Sequence, residues 1–120
     1  PTSVEMVSSM DITKIGVKDK VVIDLKVGMD GPDDYQFQPR AHLDGNMVRI
    51  TNEGYADEFT SMELEDEALE VAERDRFVEL RIKFEVKGMH GKLNKINPNP
   101  KDGKGKKLAT SNWKTVVPLL

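Results

Sequence analysis

Cysteine is missing altogether from this chain of 120 residues. Disulfides, thiolate metal sites and cysteine nucleophiles are thereby excluded. A reducing compartment is favoured, since small secreted domains commonly rely on disulfides. Histidine is scarce: His42 and His90 are the two present, and they lack the i, i+4 spacing of a helical zinc pair. Aromatic residues make up 6% of the chain, as one Trp, two Tyr and four Phe, which leaves few rings for base stacking. No apolar run approaches the roughly 18 residues of a membrane-spanning helix. Pro1 to Met10 carry neither the basic nor the apolar stretch of a signal peptide. Chemical signatures are equally absent. Gly103-Lys104-Gly105-Lys106 lacks the spacing of a phosphate loop, Asp30 to Asp34 lacks that of a calcium loop, and no G-x-S-x-G sets a serine on an elbow. The expectation is a non-enzymatic protein with no metal and no cofactor, cytoplasmic or virion-associated and not membrane-spanning.

What the chain does have is charge, and the charge is sorted. Charged residues make up 32% of the sequence and hydrophobic ones 38%, with a net charge of −3. Between Glu53 and Asp75 stand ten acids against one base, Arg74, a net of −9. Between Lys87 and Lys107 stand seven lysines against one acid, Asp102, a net of +6. Like charges at this density repel, so each block must be solvated or face a partner.

Hydrophobic periodicity sets out the elements. Val78, Leu80, Ile82, Phe84 and Val86 alternate with Glu79, Arg81, Lys83, Glu85 and Lys87, which predicts a strand over Phe77–Lys87 with one charged face in water. Val21, Ile23, Leu25 and Val27 predict another over Lys20–Val27, followed by turn chemistry at Gly28–Asp34. Tyr35 to Leu43 reads as extended, with Pro39 confining it to an edge or a bulge. Asp44-Gly45 predicts a type I′ hairpin, with Met47–Thr51 returning and pointing Val48 and Ile50 inward. Asn52 to Glu58 reads as loop. Thr60-x-x-Glu63 has the form of a capping box and predicts an acidic helix over Ser61–Arg74, with Leu64, Ala68, Val71 and Ala72 as its apolar stripe. Leu108 to Leu119 is the last strand, stopped by Pro118, with Trp113, Val116 and Val117 as its apolar candidates.

These elements predict a mainly β (α+β) fold in one domain spanning residues 1–120. Residues 1–11 form a loose N-terminal arm, with Ile12, Ile15 and Val17 as a short lead-in strand, and residues 88–106 form a long basic loop. Five strands with the helix between the third and fourth is the order of the OB-fold, a small Greek-key barrel; a β-sandwich or an open α+β sheet fits the same order. In an OB-like barrel the connection of the last two strands flanks the binding face, and here that connection is the lysine-rich loop.

The partner this predicts is single-stranded nucleic acid. Lys87, Lys92, Lys95, Lys101, Lys104, Lys106 and Lys107 would follow the phosphates, and Arg81 and Lys83 on the wet face of the preceding strand would extend the patch. Tyr35, Phe37 and Trp113 are the candidates for stacking, although Tyr35 and Phe37 alternate as core residues do and large apolar side chains are mostly buried. Asp30, Asp33 and Asp34 oppose the reading, since they would repel phosphate beside the groove. The alternative is a structural or assembly subunit, of a virion or another multi-copy complex, in which acidic segment 53–75 of one copy meets the basic loop of the next. A further alternative is an acidic inhibitor that mimics nucleic acid. The plainest account of the lysines is a loop kept solvated by its charge.

Overall fold

The computed structural model describes residues 7–30, 34–53, 55–87, 95–97 and 112–120. Among these residues nine strands and one helix follow one another as β1 (Val7–Val17), β2 (Val21–Asp30), β3 (Asp34–Gln36), β4 (Pro39–Asp44), β5 (Met47–Asn52), β6 (Tyr55–Glu63), α1 (Asp66–Asp75), β7 (Phe77–Lys87), β8 (Lys95–Asn97) and β9 (Asn112–Pro118). The β-rich class expected from alternation holds.

One sheet has the order β1-β2-β7-β9, the other β4-β5-β6, and β3 with β8 forms a short separate ladder. In the larger sheet β1/β2 and β7/β9 are antiparallel, while β2 and β7 run parallel. A parallel pair cannot be joined by a hairpin. Here the crossover from β2 to β7 carries the whole second sheet and the helix. The described strands do not close into a barrel, and the helix follows β6 rather than the third strand.

The inward faces of both sheets contribute to one apolar cluster. Val21, Ile23, Leu25 and Val27 on β2 and Val78, Leu80, Ile82 and Phe84 on β7 are buried in it, with Ala41, Val48 and Ile50 from the second sheet. The inward set predicted for β2, β5 and the described part of β7 is therefore the observed one. The sheets also meet at two flanks. On one, the Ile12 amide donates to Thr60 Oγ1 at 3.4 Å, joining β1 to β6. On the other, the tail after β9 runs between the sheets: Leu119 N–H donates to the Arg76 carbonyl at 2.9 Å and Leu120 N–H to the Ala41 carbonyl at 2.9 Å.

Several local expectations are corrected. Strand β1 begins at Val7, inside the segment read as an arm, and buries Val7, Met10 and Ile12. Register shifts against β2 at Val7/Ser9 and Ile12/Lys14 break its period of two, which hides the strand from a search for alternation. Strand β2 runs on to Asp30, through the first part of the expected turn. Asn52 to Glu58 is largely strand as well, with β6 starting at Tyr55.

Thr60 and Glu63 cap no helix. Both lie in β6, where Thr60 pairs with Ile50 and Glu63 with Met47, and α1 starts at Asp66 behind Glu65, whose side chain makes no cap bond. Ladder pairing with β5 prevails over the local capping preference. Of the predicted apolar stripe, Ala68 and Ala72 are buried on α1 with Val71 packed beside them, while Leu64 is buried ahead of the helix. The hairpin lies where Asp44-Gly45 predicts, but its central residues are Gly45 and Asn46, and only Gly45, at φ 63°, has a positive φ. That is the pattern of a type II′ turn rather than I′. The segment read as a continuous loop, 88–106, contains β8, paired in parallel with β3; its other residues lie outside those described. Among the described residues no helix is long and apolar enough to cross a membrane.

Candidate nucleic-acid interface

The outward face of the larger sheet is built by parity. Residues alternate sides along each strand, so burying Ile23, Leu25 and Val27 turns Asp24 and Lys26 outward on β2, and burying Leu80, Ile82 and Phe84 turns Arg81, Lys83 and Glu85 outward on β7. Register then decides the neighbours. Lys14, Asp24, Arg81 and Lys114 form one row across the four strands, and Asp11, Lys26, Lys83 and Asn112 form the next.

These rows line an open groove of about 780 Å³, bounded by Thr13, Asp24, Lys26, Arg81, Lys83, Asn112 and Lys114, with Leu25, Ile82 and Trp113 completing its wall. A smaller hollow continues it toward the β1–β2 turn and shares Asp24 and Arg81, adding Lys14 and Lys18. Four cations and one acid thus stand around the main groove.

Two of the four cations are already engaged. Lys26 Nζ lies 3.5 Å from Glu85, and Arg81 Nε lies 3.0 Å from Glu79. Lys83 and Lys114 are exposed and have no ion-pair partner among the described residues. Glu79 is the exception to the wet charged face of β7: it is buried, held by Arg81 and by Lys20 Nζ at 2.9 Å. Hydrogen bonds from Lys20 and then Arg81 hold its carboxyl below the usual carboxylate range, against the opposing effect of burial. The same contact raises Lys20. The cluster pins the Arg81 head at one end of the groove.

Of the residues predicted for the site, Arg81, Lys83 and Trp113 come together in this groove. Phe37 goes to the core. It is fully buried and packs edge-on against Phe84 at 5.5 Å and Trp113 at 6.3 Å, so it has no open face for a base. Trp113 is half-buried against it. Tyr35, Lys87 and Lys95 are located by backbone, in β3, at the end of β7 and in β8, and their side chains lie outside the described part. Lys92, Lys101, Lys104, Lys106 and Lys107 lie outside the described residues. Of the three acids expected to oppose binding, Asp30 ends β2, Asp33 lies outside the described residues, and Asp34 pairs in β3 opposite Lys95 of the basic segment.

Sequence reasoning passed over Lys26, Lys114, Asp24 and Thr13. Lys26 was visible on the outward parity of β2. That it neighbours Lys83 follows only from the parallel pairing of β2 with β7, which local sequence does not encode.

The second sheet also presents a polar outer face. Phe59 is 52% exposed there, with the Arg49 guanidinium 6.0 Å from its ring centre. His42 contacts Thr51 Oγ1 at 3.2 Å on the same face, and burial, with Arg49 nearby, lowers its pKa. Comparisons with protein-family models, with curated proteins and with solved structures found no match to this chain.

Proposed function

We propose that this protein is a non-enzymatic binder of single-stranded nucleic acid, and that the strand lies in the groove on the outer face of the β1-β2-β7-β9 sheet. The observation that carries the reading is the pair Lys83 and Lys114, two exposed cations with no ion-pair partner among the described residues, on the rim of a groove that Lys26 and Arg81 also line. Lysine ammonium groups adapt to a phosphate chain as movable point charges. A duplex fits the face poorly. Four strands spaced about 4.8 Å apart make a surface broader than a major groove of about 12 Å, which admits a helix or a two-stranded ribbon. An unpaired strand can lie on a sheet face and turn its base edges toward polar side chains such as Thr13, Asp24 and Asn112.

The test is fluorescence anisotropy of a labelled mixed-sequence oligonucleotide over a range of salt. Binding should weaken steeply with salt, because neutralised phosphates release counterions. Replacing Lys83 and Lys114 with Ala should flatten the slope of log K against log salt by roughly 1.4, at about 0.7 per lost contact on a single strand. Unchanged binding by that double variant would remove the groove from the reading.

A second reading is self-association. Asn46, Glu63, Glu65, Asp66 and Glu67 line a hollow of opposite charge to the groove, so one copy could offer its acidic end to the next copy's sheet face. Sedimentation at low salt without nucleic acid separates the two readings: salt-sensitive oligomers support the second, and a monomer that binds oligonucleotide supports the first.

A further inference from the structure

Asp24 stands where a phosphate-binding groove should not hold an acid. It lies on β2 between Lys14 of β1 and Arg81 of β7, and it lines both the main groove and its smaller continuation. Neither neighbour takes it as an ion-pair partner. Arg81 turns instead to Glu79, and no cation among the described residues reaches the Asp24 carboxylate. Its backbone is tied down, the carbonyl accepting a hydrogen bond from Thr13 Oγ1 at 3.3 Å. The result is a half-buried carboxylate whose oxygens have no partner among the described residues, on a strand paired on both sides, in the middle of a cationic track.

Such a group repels phosphate but accepts from donors, and in a nucleic acid the donors are on the bases. Phosphate contacts set affinity and position, whereas base contacts discriminate. The bases differ in what they offer a carboxylate. The Watson–Crick edge of guanine carries two adjacent donors, N1–H and the N2 amine, which match the two carboxylate oxygens. Adenine and cytosine each offer one amine beside a ring acceptor, and thymine offers one N–H between two carbonyls. We propose that Asp24 is the base-reading residue of this groove and that it selects guanine. The inference rests on the nucleic-acid reading given above, with Lys83 and Lys114 holding the chain while Asp24 reads the edge.

The experiment compares four short oligothymidylates that differ at one central position, carrying guanine, inosine, adenine or thymine, by anisotropy at one low salt concentration. The wild type should bind the guanine form on the order of tenfold more tightly than the thymine form, as expected of a bidentate base contact. Inosine, which lacks the N2 amine, should fall between them. Asp24→Asn keeps the shape of the side chain and removes its charge, so it should bind the thymine form more tightly, through lost repulsion of phosphate, and bring the guanine-to-thymine ratio close to one. A wild-type ratio near one, or a ratio that survives in Asp24→Asn, overturns the assignment while leaving the binding function standing. Failure of the wild type to bind any of the four overturns both. Because the ratio is measured first in the wild type, the test does not depend on the variant folding.

Discussion

Glu79 is a carboxylate buried on the face of β7 that its sequence pattern assigns to water. It is tolerable there because Lys20 and Arg81 reach it from β2's entry and from two positions along its own strand. A buried charge stripped of a partner costs far more than the pair contributes, so the three side chains stand or fall together. The contact depresses the Glu79 carboxyl below its ordinary 4.5. A depressed carboxyl favours the folded state at every pH above its unfolded value, and that contribution drains away as pH falls through the folded value. Glu79→Gln abolishes the titration. The variant should be less stable than wild type at about pH 7, and its melting temperature should fall less between about pH 7 and about pH 3. Parallel melting curves for the two proteins across that interval would mean that Glu79 is not what acid attacks. Phe37 makes a complementary point. Its alternation with Tyr35 admits a stacking role or a core role, and the core takes it because Phe84 and Trp113 offer edge-on ring contacts.

Among the elements, α1 ends in a conformation its sequence does not favour. Arg76 sits at φ 61°, ψ 28°, the left-handed cap whose N–H closes on the Ala72 carbonyl at 2.8 Å. Side chains with a Cβ resist this region, and glycine is the residue that helices normally place there. Arg76 is exposed, and its described role is through the backbone, so Arg76→Gly should stabilise the protein by about 0.5–1 kcal/mol in urea denaturation, the relief of strain outweighing glycine's extra chain entropy. A loss of stability would show that the arginine side chain matters more than its backbone. Elements whose patterns are local were legible in the sequence. Strands β2, β5 and β7, the Gly45 hairpin and the buried stripe of α1 follow from periodicity and turn chemistry. Strand β1 was not, because two register shifts break its alternation, and neither was the start of α1, because pairing of Thr60 and Glu63 with β5 overrides a helix-start signal. The candidate site was half legible for the same reason: Arg81 and Lys83 show their outward parity, while their juxtaposition with Lys26 and Lys114 is a matter of strand order.

At the scale of the whole molecule, the structure depends on how the two sheets are held to each other. Strand order within each sheet leaves β9 and β4 at facing edges. The last two residues cross that gap: Leu119 bridges to Ala41, Leu120 accepts from Leu43 N–H at 3.2 Å, and the Leu119 side chain is buried in the shared core. An edge strand left open would be a template for pairing with another chain, so this seam also guards β4. If the seam and the common core couple the sheets, they must unfold together. Far-UV circular dichroism, which reports strands of both sheets, and fluorescence of the lone Trp113, which sits on β9 against Phe37, should then trace one coincident transition in urea. Leu119→Ala removes the buried side chain and leaves the backbone bonds in place. It should lower stability by about 2–5 kcal/mol, as truncation of a core leucine does, and shift both probes together. Two separated transitions, in either protein, would mean that each sheet carries a core able to stand alone and that the tail merely rests between them. A coincident shift would instead make the seam part of one cooperative unit. The four-stranded sheet that carries the groove would then unfold only together with the core beneath it.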